Sequence, residues 1–243
     1  MALGFRVIYR ISDTGYNKVK PDYINNEACL KNALEAFPYN DNYWYVIADN
    51  VSDETRVMIE KYISPVKIQH VNIGHGAGTF NIALDFALNK TESNLRYEMH
   101  VPIYFLENDY IHKKRSDKIL GEAIDMGADY ATLYDHPDKY INAKDGGNPY
   151  IDGGGELTKL LLSDSSHWKL TNSTTMTFAT LGSTLLEDED IWRKHTQGSY
   201  PKDFDIFIEL RKKNRTLVSP VPGWSTHGES AWLTPLTDWE KEL

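Results

Sequence analysis

The chain has 243 residues, of which 41% are hydrophobic and 25% charged, enough apolar material for a sizeable core in one large domain or two small ones. A formal net charge of −9 excludes general affinity for nucleic acid, which draws its strength from Lys and Arg on phosphates. The lone cysteine, Cys29, forms no intrachain disulfide, the N-terminal residues lack a signal-peptide apolar run, and no stretch approaches the ~18 residues of a membrane span, so a soluble, cytoplasmic protein is expected.

The first half alternates strands and helices. "FRVIYRI" (5–11) is a short β-branched strand. Residues 23–37 place Ile24, Ala28, Lys31, Leu34 and Phe37 near helical spacing, and Pro38 stops the helix. "YWYVIAD" (43–49) predicts a second strand, 53–63 a helix with Met58, Ile59 and Tyr62 on one face, and "VKIQHVNI" (66–73) a third strand. "TFNIALDFAL" (79–88) predicts a helix with Phe80, Ala83, Leu84, Ala87 and Leu88 in one stripe, followed by a fourth strand over 103–106. The second half is less regular. A helix is expected over 115–127, a strand over 128–137, a Thr-rich strand over 171–180, and helices in "EDEDIWRKH" and "PKDFDIFIELRKKN". Residues 142–156 hold five glycines and no periodic pattern, which predicts a long loop of the kind that often carries function. With no linker or repeat, the expectation is one α/β domain over 1–243, a mainly parallel sheet flanked by helices.

Ligands of open parallel sheets bind outside the carboxyl ends of the strands, and polar residues cluster at three such ends here. Asp13 follows the first strand in "RISDT". Asp49, Ser52 and Asp53 follow the second in "IADNVSDET", where Ser52 or Asp53 also suits a helix cap. The fourth strand runs into Glu107, Asn108 and Asp109 in "IYFLENDYIH". Carboxylates rarely enter a buried setting unless paired or holding a metal, so this last pair asks for a partner. "GHGAG" (74–78) does not match the dinucleotide fingerprint and predicts a turn with close backbone approach.

Taken in order, "VIADNVSDET", "GHGAGTFNIALDFA" and "YFLENDY" resemble the successive motifs of glycosyltransferase family 2, over residues 5–112. The second half is similar to small viral enzymes of the same GT-A fold. The resemblance implies a GT-A domain with a nucleotide-sugar half (1–112) and an acceptor half (113–243). It implies a metal-dependent, inverting transfer of a sugar from a nucleotide-sugar, of the UDP type, to a hydroxyl of a carbohydrate or other acceptor. Asp49 would meet the base, and Arg10, Ser12 and Asp13 would line the nucleotide. Glu107, Asn108 and Asp109 would stand at the Asp-x-Asp position, with Glu107 and Asp109 as ligands of Mn²⁺ or Mg²⁺. Glu107 departs from the motif, which puts its direct metal contact in doubt. In this fold a late histidine often completes the metal site, a role that falls here on His227 of "PGWSTHGE"; the alternative is a loop histidine facing solvent.

Such a transfer also needs a base on the acceptor side near a helix start. "YPKDFDIFIEL" offers Asp203 and then Asp205, with the acids of "EDED" (187–190) behind them; acids in a first helical turn are also favoured by the helix dipole alone. Trp168 and Trp192 are candidate sugar platforms or core residues. Two rival readings stay open: a sugar-phosphate nucleotidyltransferase and a non-catalytic nucleotide-sugar-binding protein.

Overall fold

The computed structural model describes residues 4–14, 18–39, 43–90 and 98–243. The first half forms β1 (Arg6–Ser12), α1 (Asn26–Ala36), β2 (Trp44–Asp49), α2 (Asp53–Glu60), β3 (Ile68–Val71), α3 (Gly76–Ala87) and β4 (Pro102–Glu107). Then follow β5 (Tyr110–His112), α4 (Ser116–Asp125), β6 (Tyr130–Ala131), β7 (Leu160–Leu162), β8 (His167–Leu170) and β9 (Phe178–Leu181). The chain closes with α5 (Gly182–Glu187), α6 (Glu189–His195), α7 (Asp203–Lys212), β10 (Leu217–Val221) and β11 (Ser225–His227).

Among the described residues one nine-stranded sheet runs in the order β3-β2-β1-β4-β9-β6-β10-β8-β7. Strands β1 to β4 are mutually parallel, as their helical crossovers require. Beyond β4 the sheet is mixed: β9 runs antiparallel to both β4 and β6, β10 parallel to β6, and β8 antiparallel to β10. A separate two-stranded ribbon pairs β5 with β11.

Helices cover both faces, which is why the strands read as unbroken apolar runs rather than alternating ones. Val7, Tyr9 and Ile11 of β1 point into a cluster with Leu30 and Ala33 of α1, Ile59 of α2 and Leu120 of α4. Ile8, one pleat away, joins Phe80 and Leu84 of α3, Trp192 of α6 and Phe207 of α7 on the other face.

All five stripe residues of α3 are buried, and the helix begins three residues earlier than expected because the His75 ring accepts the Gly78 N–H as its cap (3.0 Å). The α1 stripe is rotated: Cys29, Leu30, Ala33 and Ala36 form the buried face, while Leu34 is only partly covered. Ser52, not Asp53, caps α2 by accepting the Thr55 N–H at 3.2 Å. The expected Thr-rich strand is confined to Phe178–Leu181; residues 171–174 are buried through side-chain and backbone hydrogen bonds instead of ladder pairing. The 128–137 strand contracts to Tyr130–Ala131.

Candidate functional site

A cleft of about 860 Å³ opens at the carboxyl ends of β1, β2 and β4. Its lining brings together Arg10, Ser12, Asp13, Asp49, Glu107, Asn108, Asp109 and His227, eight residues separated by up to 217 positions in sequence. For the residues at the ends of β1, β2 and β4 the arrangement follows from strand parallelism, since parallel strand ends emerge on one side, while His227 arrives on the β5–β11 ribbon.

Asp49 is buried at the end of β2, opposite Ser12 in the register. Its Oδ1 accepts the Ile73 N–H at 2.7 Å, and its Oδ2 accepts the Gly74 N–H at 2.9 Å. The carboxylate thus fastens the "GHGAG" turn against the sheet. Gly74 takes φ +78°, where a side chain would be strained, and a Cβ on Gly78 would come within 2.3 Å of Ile73. Each carboxylate oxygen accepts about two hydrogen bonds, so Oδ2 keeps capacity toward the cleft.

Asp13 is a tie between elements. It accepts from the Ser52 N–H (2.6 Å), Thr55 (2.7 Å) and Asn26 (2.9 Å). Burial works against the charge, yet these donors outweigh it and draw the carboxyl pKa down. Asn108 donates to the Ser12 carbonyl (3.1 Å) and to Asn26 (2.6 Å), joining the loops after β1 and β4. Both residues line the cleft while bracing its wall.

The register of β1 on β4 sets Arg10 directly beside Glu107 on the same face. Their ion pair closes at 3.0 Å, and Arg10 also donates to the Gly76 carbonyl (3.2 Å) and lies over the Phe80 ring. Glu107 is therefore the counter-charge of a buried guanidinium, and although it lines the same cleft it forms no three-membered ligand group with Asp109 and His227 among the described residues.

Asp109 and His227 do converge. The β5–β11 ribbon pairs His227 with Tyr110, and Gly228 has room only for hydrogen where a Cβ would meet the Asp109 carbonyl at 2.8 Å. Asp109 Oδ2 lies 3.2 Å from His227 Nε2 and 3.0 Å from Lys20 Nζ. Lys18 Nζ lies 3.2 Å from the same imidazole nitrogen. Burial raises the Asp109 carboxyl pKa, but His227, then Lys20 and Lys18, more than reverse this and hold it well below the usual carboxylate range. In the sequence Lys18 closes "YRISDTGYNK", a poor match to the Gly-rich basic loop of nucleotidyltransferases, and Lys20 stands in no motif.

Among the described residues no three His, Cys, Asp or Glu side chains gather closely enough to hold a metal by themselves. The Asp109–His227 pair nevertheless fits a hard divalent cation. Two ligand atoms at ~2.1 Å and at right angles stand about 3.0 Å apart, and such ions commonly use one or two protein groups plus substrate phosphates and water.

Asp203 starts α7 three residues beyond Tyr200, which lines the cleft. It is half-buried, and its carboxylate accepts the Phe204 N–H at 2.7 Å. Burial, reinforced by the nearby charge of Glu107, pushes its pKa up to about 6. Asp205 is exposed on the same helix. The "EDED" acids are engaged elsewhere: Glu187 and Asp188 with Arg215, and Glu189 with Lys90. Asp190, the last of them, is exposed on α6. Trp168 and Trp192 are both fully buried, Trp192 stacked on Phe178, so neither presents a ring to a ligand.

The fold is similar to that of solved structures. S. aureus TarS 1-349 superposes with a TM-score of 0.50 at 16% identity over 89% of this chain, and GalNAc-T7, solved with UDP, GalNAc and Mn²⁺, with a TM-score of 0.58 at 12% identity over 96%. The fold is GT-A-like. A Bacillus anthracis structure described as a glucose-1-phosphate thymidylyltransferase, solved with sucrose, is also similar, with a TM-score of 0.52 at 13% identity over 94% of this chain. This chain spans 57% of the TarS chain, 45% of the GalNAc-T7 chain and 92% of the thymidylyltransferase chain. No protein-family model matches the sequence, and no curated protein does. No helix among the described residues is long and apolar enough to cross a membrane.

Proposed function

We propose that the chain is an inverting glycosyltransferase that moves a sugar from a UDP-sugar to a carbohydrate hydroxyl, with a divalent cation, Mn²⁺ or Mg²⁺, at the donor diphosphate. The observation that carries this reading is the meeting of Asp109 and His227 at 3.2 Å in the cleft, brought about by the β5–β11 ribbon.

Residues 1–112 supply most of the donor side. Asp49 Oδ2 accepts the imide N–H of uracil, a proton that cytosine lacks at that position. Asp109 and His227 are the residues that would hold the cation, which when bound neutralises charge growing on the leaving diphosphate. Lys20 shares the Asp109 oxygen and Lys18 the His227 nitrogen, so both ammonium groups exchange those contacts for phosphate oxygens when the donor enters. Arg10 stays with Glu107 and keeps the floor of the cleft rigid.

Residues 113–243 supply the acceptor side. Asp203 takes the proton of the acceptor hydroxyl as its oxygen attacks the anomeric carbon from the face opposite the leaving UDP. A carboxyl pKa near 6 suits that task, because the group is mostly ionised at neutral pH yet more basic than an ordinary Asp.

A second reading, a nucleotidyltransferase, is favoured by Lys18 and Lys20 after β1, since two ammonium groups suit the extra phosphate of a nucleoside triphosphate. One assay separates the two. Incubation with Mn²⁺ and UDP-sugars should release UDP and transfer sugar, whereas pyrophosphate release from UTP and a sugar phosphate, without transfer, would replace the first reading with the second.

A further inference from the structure

We propose that Tyr150, stacked on Phe204 beside Asp203, is the platform of an acceptor subsite that takes the apolar C–H face of a neutral pyranoside. The proposal rests on the glycosyl-transfer reading and narrows its acceptor to a sugar ring.

The two rings lie 5.7 Å apart and 23° from parallel, so one face of Tyr150 is covered by Phe204. The residue is still 63% exposed, which leaves the other face open. Phe204 is the neighbour of Asp203 and gives it a backbone hydrogen bond, which places the stack next to the proposed base.

Exposed tyrosines on long loops are usually mobile, but this one is fixed on both sides. Its N–H donates to Asn148 Oδ1 at 3.1 Å. Asn148 is 1% exposed, and its amide donates to Asp138, Asn172 and Ser173. On the other side Ile151 is buried, with its N–H on the Asn148 carbonyl and its own carbonyl on the Ala143 N–H, both at 2.9 Å. Gly147 lets the loop pass the Ile141 carbonyl, which a Cβ would approach to 2.0 Å. A ring held this way loses little entropy on binding, which is what an aromatic platform needs.

The chemistry of a sugar matches such a surface. One face of a pyranose carries C–H groups that pack on an aromatic face, while its hydroxyls stay in water or reach polar groups. Tyr200, equally exposed, lines the donor cleft instead, and three other large aromatics of this half are buried or engaged. Trp168 and Trp192 are buried, and Tyr140 gives its hydroxyl to Asp135 and one ring face to Lys169, 4.5 Å away.

The test uses the full chain with UDP and Mn²⁺ present, and methyl β-galactopyranoside and methyl β-glucopyranoside as probes. Saturation-transfer NMR should place signal on the ring C–H protons of at least one probe, with the wild type and with Tyr150→Phe. Tyr150→Ala should weaken binding of that probe about tenfold, the scale of one lost stacking partner. Calorimetry with UDP serves as the folding and donor control and should be unchanged in both variants. An undiminished signal in Tyr150→Ala, or no signal in the wild type, overturns the platform and leaves the donor reading standing. A Tyr150-dependent signal without UDP binding upholds the platform and removes the donor reading.

Discussion

Replacing Asp203 by Asn separates a catalytic base from a helix-terminal acid, because the two roles predict opposite changes in stability. The carboxyl pKa rises from 3.8 to about 6 on folding, mainly through burial. A group raised in this way favours the folded state below its unfolded pKa, and that contribution is lost as pH climbs through 6. At pH 7 the ionised carboxylate is therefore a cost of up to about 3 kcal/mol, cut to roughly half because the side chain is only half-buried. Asparagine removes that cost and forfeits ~0.5–1 kcal/mol of favourable helix-dipole interaction. The balance is a gain of about 0.5–1 kcal/mol, or roughly 1–4 °C in melting temperature for a chain of this size. Sugar transfer should fall by on the order of 10²–10⁴, with UDP affinity unchanged. The assay is turnover, UDP calorimetry and thermal melting on one protein preparation at pH 5 and pH 7. At pH 5 the stability advantage of the variant should shrink, since the wild-type carboxyl is then largely protonated. Turnover that survives together with a melting temperature that falls at pH 7 refutes the base assignment and makes Asp203 a structural residue.

Asp109→Asn should weaken Mn²⁺ binding at least ~100-fold by calorimetry. It should also lower the melting temperature at pH 7, because a carboxyl held low in pKa stabilises the fold above its unfolded pKa and loses that effect as pH falls. Unaltered Mn²⁺ affinity would remove Asp109 from the cation site. Glu107→Gln should leave Mn²⁺ affinity within about twofold while costing ~1–3 kcal/mol of stability, since Arg10 loses its counter-charge in a buried position; a large loss of metal affinity would return Glu107 to the ligand set. UDP should bind more tightly than CDP by about tenfold, with the preference abolished in Asp49→Ala, and equal affinities in the wild type would count against the uracil contact. Lys20→Met should strengthen Mn²⁺ binding without nucleotide, by freeing Asp109 Oδ2, yet weaken UDP binding; a loss of Mn²⁺ affinity instead would contradict competition for that oxygen.

The sequence by itself determined the order of the first half. Strand, helix and strand alternate at spacings that only parallel pairing satisfies, and parallel pairing puts Asp13, Asp49, Glu107 and Asp109 at one edge whatever the details. The Phe80–Leu88 stripe of α3 was legible for a similar reason: helical periodicity is a local property. What each acid does was decided by contacts that no local pattern encodes. Register across β1 and β4 sets Arg10 against Glu107, 97 positions apart, and gives that acid an ion-pair partner. A three-residue ribbon, too short to carry its own periodicity, brings His227 to Asp109. Lys18 and Lys20 reach the same pair from beyond β1. Burial at the start of α7 separates Asp203 from Asp205, two acids in the same first helical turn. Charge state and coordination depend on which groups surround a side chain in space, and in a mixed sheet whose strands β6 to β10 are only two to five residues long those neighbours arrive from distant parts of the chain.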